Sequence, residues 1–385
     1  MNNSPSFSSP QPLSPGFLLR DRYRFQTLVE RQDWPSGAFE ASWIGYDSRQ
    51  EKQVMICEVV IPDHLSLDKR SIMRTAASAL GSLNPYPHIP SLLEAFSSQG
   101  RAFFVFERAE GETLLNRLQR LRRPMPESEL VEFCLQMVDT LELLSQRMPP
   151  LVHGAIRPEH IYASENGSQY LLSHFSILVA GGITSFFAGL DRASLSPYTA
   201  PEFAHGIVDM RSDLYSLLAT AYHLATGNPP VASGGIIPHA RQVNPALSPA
   251  FDTILTKGLH FTPQQRYQHF SQLRQDLLDL QLDNNMESAR SYPDLTFAPT
   301  QPQKRFSSHL SSPLSSSLAD ANGPGSPILL PITPITPEED EQSILPRPED
   351  LPAMRQGNDQ LVAATIFFTM FLGVTLATFF GQSPF

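Results

Sequence analysis

The chain of 385 residues has little cysteine, a deficit of positive charge and no apolar run near its start. Its two cysteines, Cys57 and Cys134, cannot build a disulfide framework or a metal knuckle, which fits a reducing compartment. Only 28 lysines and arginines stand against 38 aspartates and glutamates, for a formal charge of −10. The basic footprint that nucleic acid requires is therefore missing, and nucleic acid is not expected as a partner. Residues 1–17 are rich in Ser and Pro and lack an apolar h-region, so no secretory signal is expected. No internal repeat is visible.

Proline, by contrast, is plentiful, with 35 residues in all and the densest runs at two places. Residues 1–17 read as a disordered tail, since they offer little apolar surface to bury. Residues 283–360 read as a disordered Pro/Ser-rich linker, long enough to hold a domain well away from whatever it is tethered to. Within it Glu338-Glu339-Asp340-Glu341 is most simply a solvated run. Then comes LVAATIFFTMFLGVTLATFF, residues 361–380, without a charged side chain. A helix rises about 1.5 Å per residue, so this segment can cross a hydrocarbon core of ~30 Å. Arg347 and Arg355 precede it and five residues follow, a bias that favours keeping the bulk of the chain in the cytoplasm. The expectation is a single-pass C-terminal membrane anchor that serves placement. Thr369, Gly373 and Ala377 form a small-residue stripe along it.

Residues 18–282 have an ordinary globular pattern. Residues 22–29, 39–45, 53–61 and 102–107 are short, rich in β-branched or aromatic side chains, and bounded by turn residues. A helix is predicted over 67–83. From Glu112 onward helices dominate: 128–147 carries one apolar face, 213–226 is almost continuously apolar, and a last helix covers about 263–282. This order predicts an α+β protein with two lobes, a β-rich one over about 18–110 and a helical one over about 111–282.

Three segments raise the reading above fold class: LVHGAIRPEHIYA at 151–163, YTAPE at 198–202 and DMRSDLYSLLATAYHLATGNPP at 209–230. In this order and spacing they resemble the eukaryotic-type protein kinases, in particular the bacterial serine/threonine branch. That family's pattern is V-H-R-D-I-K-P-E-N-I, then D-F-G, A-P-E and a D-x-x-S-x-G helix. The resemblance implies a bilobal protein-kinase-like fold and, for FVFERAEGETL at 104–114, the hinge between the lobes.

It also shows which family residues are changed. The phosphate-covering glycine loop matches Pro35-Ser36-Gly37-Ala38-Phe39-Glu40, where one glycine remains, Pro35 has no N–H to give, and Glu40 adds negative charge. The strand lysine is replaced by Cys57 (or, one register on, Glu58), and its helix glutamate by Thr75. The aspartate that accepts the substrate proton is Ala155, which has no group to do so. The metal-binding asparagine is His160 and the D-F-G aspartate is His174, whereas magnesium prefers oxygen ligands. Arg157 stands where the family has its phosphate-facing lysine. Structural positions are kept: His153, Phe175, Glu202, Asp213 and Arg266.

The resemblance thus implies a membrane-tethered pseudokinase that acts as a scaffold or allosteric partner. Its protein partner would be an active kinase or its substrate, engaged through lobe surfaces and segment 177–199. No cofactor and no metal are expected, since His160 and His174 lack a third ligand. The alternative is an active serine/threonine kinase with a non-standard site, using ATP and magnesium, with Glu159 or Glu165 as stand-in carboxylates. Between them lies a nucleotide sensor, its cleft formed by Gly37 and the hinge residues Glu107 and Ala109.

Overall fold

Strand β3 (Phe39–Asp47) alternates buried and half-buried residues along its whole length, the period-two pattern of a strand with one face in a core. It lies centrally in an antiparallel sheet with β1 (Leu18–Leu19), β2 (Tyr23–Asp33), β4 (Lys52–Val60), β5 (Leu92–Ser98) and β6 (Arg101–Glu107). The strand order is β1-β2-β3-β4-β6-β5. In this computed structural model the described residues are 11–164, 167–188, 190, 195–231 and 237–290, with side chains to 282. The sequence pattern missed β5, whose LLEAFSS has no clean alternation. One face of the sheet closes over Tyr23, Phe25, Trp43, Phe96 and Phe103. Leu13 and Phe17, within the tail expected over 1–17, pack against that cluster, and residues 1–10 lie outside the described residues. There the Phe17 ring meets Phe25 edge-on at 6.1 Å.

Register decides what β4 presents. Cys57 pairs with Ser42 and Glu58 with Ala41, so the two neighbours face opposite sides of the sheet. Glu58 points away from the cleft, where it accepts the indole N–H of Trp43 at 3.1 Å and pairs with Arg101. Cys57 faces the cleft. Helix α1 (Lys69–Gly81) packs beside the sheet through Ile72, Met73, Ala76, Ala77 and Leu80. Its N-terminus is capped by Asp68, which accepts the Ser71 N–H at 3.1 Å.

The second lobe is helical. After the short β7 (Glu112–Thr113) come α2 (Leu114–Leu121) and α3 (Glu127–Ser145), then a three-stranded sheet completed by β8 (Ile161–Ala163) and β9 (Tyr170–Leu172). A four-residue helix, α4 (Ile177–Ala180), follows; α5 (Met210–Thr226), α6 (Ala240–Val243), α7 (Pro249–Gly258) and α8 (Phe270–Arg290) complete the lobe. Helix α5 opens with a capping box of Asp209 and Ser212, is buried from Ser212 to Thr226, and ends at Gly227 with φ +77°. This is the central helix that its apolar run predicts. Helix α8 runs past residue 282, where the linker was expected to begin, since neither proline nor glycine interrupts 270–290. The remaining linker and the apolar segment 361–380 lie outside the described residues. No helix among the described residues is long and apolar enough to cross a membrane.

Candidate functional site

The loop that joins α3 to β8 is held from below by α5. Asp213 accepts the backbone N–H of His153 at 2.7 Å and of Gly154 at 3.0 Å. Burial pushes its carboxyl up to about 7 despite those bonds. The His153 ring is fully buried: Ala155 N–H donates to its Nδ1, so its proton sits on Nε2 and goes to the Ser173 carbonyl at 3.1 Å. Burial, aided by His160, drives its pKa down to about 3. Phe175 lies against the ring at 4.2 Å. Farther down, Arg266 grips Glu202 with two bonds of 2.7 and 2.8 Å. Its remaining donors go to the carbonyls of Arg211, His260 and Phe261. Ser212 adds a hydroxyl to Glu202 at 2.8 Å. This network ties three segments of the lobe together.

Above this support the polar groups are rearranged. Ala155 offers the cleft only a methyl group and its backbone, and the carbonyl is taken by His160 Nδ1 at 2.5 Å. The other nitrogen of His160 lies 2.7 Å from Glu30 Oε2, and Arg157 pairs with the second oxygen of the same carboxylate. Burial alone would raise the Glu30 carboxyl, but His160 and Arg157 outweigh it and hold it at about 2. Glu30 belongs to β2, so this is a bond between lobes that the sequence reading missed. The ring of His174 stacks on His160 at 4.5 Å, in the left-handed conformation with φ +63°. Both its ring nitrogens are buried without a partner, and burial holds its pKa well below the ordinary value.

The turn between β2 and β3 is closed on itself. Gly37 N–H donates to the Trp34 carbonyl at 2.9 Å, Trp34 N–H donates to the Ala38 carbonyl at 3.0 Å, and Pro35 has no N–H. Few backbone donors are left to face a phosphate. Gly37 itself sits at φ +81°, a conformation glycine adopts without strain. Trp34 is 5% exposed and meets Phe186 and Phe187 of the large lobe at 6.4 and 5.8 Å. Glu40, at the start of β3, also crosses over, accepting the Leu178 N–H at 2.6 Å. Burial pushes its carboxyl up to about 8. The β2–β3 hairpin therefore reaches the large lobe at three points: Glu30, Trp34 and Glu40.

The cavity beneath the hairpin has a volume of about 530 Å³ and is lined by Cys57, Ala155, Arg157, His160 and His174 among others. It brings together five of the six changed positions. Thr75 is not among them: it sits on the exposed face of α1, whose inner face is apolar. Glu107 and Ala109 line a different groove, with Pro85, Tyr86 and Pro87. Between Met55, Phe106, Cys57 and His174 only about 20 Å³ is open, room for one water molecule. The Cys57 thiol is held well above its ordinary pKa by burial and then by Glu40, so it is no nucleophile. Glu165 lies outside the described residues, and one oxygen of Glu159 is buried without a partner.

The residues at the two metal positions do not suit magnesium. At the two metal positions stand imidazoles, one bonded to Ala155 and Glu30 and the other with both nitrogens buried, and magnesium demands oxygen. The match to known families is nonetheless clear, since residues 37–288 match the model of the protein kinase domain. The chain belongs to the protein kinase domain family. A probable serine/threonine-protein kinase of Streptomyces coelicolor is 27% identical over 67% of this chain and 40% of its own length. Serine/threonine-protein kinase PknA of a Nostoc species is 28% identical, over 69% of the chain and 48% of that protein. PknL of Mycobacterium tuberculosis is 28% identical, over 65% of the chain and 63% of that protein. The chain thus spans about half the length of these curated relatives. Among solved structures, a point mutant of the Mycobacterium tuberculosis PknI kinase domain superposes with a TM-score of 0.54 at 20% identity. That match covers 71% of this chain and 100% of that domain, and it shows the bilobal fold.

Proposed function

We propose that this protein is a membrane-tethered pseudokinase: a kinase-like domain that has lost phosphotransfer and works by binding another protein. One observation carries the reading. Arg157 and His160, the polar groups left on the catalytic loop, are both engaged by Glu30 from the opposite lobe. Beside them Ala155 cannot accept a proton, and no carboxylate stands at a metal position. Positioning and charge neutralisation account for nearly all of phosphoryl transfer, so losing base, metal ligands and lysine together leaves little to work with.

The partner is an active kinase or its substrate, and confinement to a bilayer through residues 361–380 raises its effective concentration. Among the described residues of 177–199 the whole of α4, Phe186, Phe187 and Tyr198 are buried while Gly182, Ser185 and Ala188 are exposed, so docking would use the lobe surfaces and the exposed part of this segment.

Membership of a family whose relatives are named serine/threonine kinases favours the active reading instead. Thermal melting with ATP, with and without Mg²⁺ or Mn²⁺, separates the two, because a bound ligand raises the midpoint. No metal-dependent shift and no incorporation of labelled phosphate are expected. Incorporation that disappears in Arg157→Ala would overturn the proposal, and a shift without incorporation would make the protein a nucleotide sensor.

A further inference from the structure

Helix α4 is only four residues long, yet all four are buried. A helix this short has no stability of its own, because nucleation orders several residues for a single hydrogen bond. Whatever keeps it formed must come from its neighbours, and three of them are shaped for the task. From the small lobe, Glu40 accepts the Leu178 N–H at 2.6 Å and faces the Ser176 hydroxyl at 3.5 Å. Ser176 in turn accepts the Val179 N–H at 3.4 Å, so the first turn is capped by two side chains, one from each lobe.

From the catalytic loop comes an absence. Gly154 stands where the kinase pattern has an arginine, at φ +73°. A Cβ on it would lie 3.0 Å from Val179 Cγ2 and 3.2 Å from Val179 Cβ, so a side chain at 154 would press on Val179. The third neighbour is α1. Gly181 closes α4 by donating its N–H to the Ile177 carbonyl at 2.8 Å. A Cβ there would meet Ile72 Cγ2 at 2.7 Å and the Ile72 carbonyl at 3.0 Å, so any side chain would push α1 outward.

We propose that α4 is a conformational lock: Glu40, Gly154 and Gly181 together wedge it between α1 and the catalytic loop and hold the two lobes in one closed arrangement. This rests on the reading of the site as one that has lost phosphotransfer and says what holds the lobes around it. Glu40 is the latch, since it is the wedge's bond to the other lobe, and opening the cleft must break it. The two glycines are the seat.

Hydrogen–deuterium exchange on the full chain tests this. In the wild type the amides of 177–183 exchange slowly. Glu40→Ala speeds them by about tenfold, the change that losing one or two hydrogen bonds predicts, together with those of α1 but not of α5. Glu40→Gln keeps a carbonyl oxygen for Leu178 and retains most of the protection. Gly154→Ala loosens 177–183, and adding Val179→Ala restores part of the protection, the strain of a side chain at φ +73° remaining. Rapid exchange of 177–183 in the wild type, or no change in Glu40→Ala, would overturn the lock. If Glu40→Ala unfolds the whole chain, with α5 exchanging alongside, the Gly154 and Val179 pair decides: no loosening, or no rescue, rejects the proposal. Metal-dependent binding of ATP with phosphate incorporation by the wild type would defeat that reading while protected α4 amides still supported the lock. Unprotected α4 amides in a protein that ignores ATP would do the reverse.

Discussion

Asp213 and Glu30 are both acids that serve the same loop, one from below and one from above, and they behave in opposite ways. Asp213 takes two backbone N–H groups within the large lobe and is raised to about 7 by burial. Glu30 takes the Arg157 guanidinium and the His160 ring across the cleft and is held at about 2. The first interaction is part of folding one lobe. The second forms only when the lobes come together, and it uses groups that a working kinase site would keep for phosphate. The support has kept the family's residues, and the site above it has been re-paired internally.

The contrast can be broken from the bottom first. Arg266→Ala leaves Glu202 buried without its partner and should cost about 3–5 kcal/mol, read as a fall in the urea midpoint. Asp213→Ala strands two N–H groups and should cost about 2–4 kcal/mol by the same measurement. Glu30→Ala is expected to lie below both, at roughly 1–2 kcal/mol, because Arg157 is 22% exposed and water replaces part of the lost pairing. Its signature is cleft opening, visible as faster exchange in the β2–β3 turn with the support unchanged. A larger loss in Glu30→Ala than in Arg266→Ala would show that the lobes depend on each other for folding.

Titration sharpens the same comparison. Glu40 and Asp213 are raised from 4.5 to about 8 and from 3.8 to about 7. Their contribution to stability is full below the unfolded values and is lost as pH rises through the folded ones. Glu30 is lowered from 4.5 to about 2, and its contribution is present above 4.5 and lost as pH falls through about 2. His153, lowered from 6.5 to about 3, likewise favours the folded state above 6.5 and loses that contribution on acidification. Melting temperature measured from pH 3 to 9 should therefore fall at both ends. Glu40→Gln should flatten the loss between pH 5 and 8, and Glu30→Gln should flatten the acid limb. The smallest effect is expected at α1: Thr75→Glu, on an exposed face, should change stability by less than about 0.5 kcal/mol and leave nucleotide binding unaltered.

The strands of the first lobe were legible because alternation and β-branched content survive in 39–45 and 53–61, and the central helix because its apolar run is bounded by Gly227 and two prolines. Cys57, Ala155, His160 and His174 were legible as changed positions, and the structure brings all four to one cavity. Glu30 and Trp34 were not, for a physical reason: each acts across a gap of well over a hundred residues, through contacts that leave no period or motif in the chain. The exposed position of Thr75 was equally hidden, since only the rotation of α1 about its axis decides it. Gly154 did carry a signal, a glycine where the pattern has arginine, but its meaning needed Val179 beside it.

Local chemistry determined the fold family, the two-lobe order and the absence of a base at position 155, because an alanine has no base wherever it is placed. Tertiary structure alone decided what surrounds the changed positions. Which carboxylate reaches Arg157, whether a tryptophan covers the cleft, and whether four residues after Phe175 form a helix depend on how one lobe meets the other. Those are interactions between surfaces, and a sequence records only their parts.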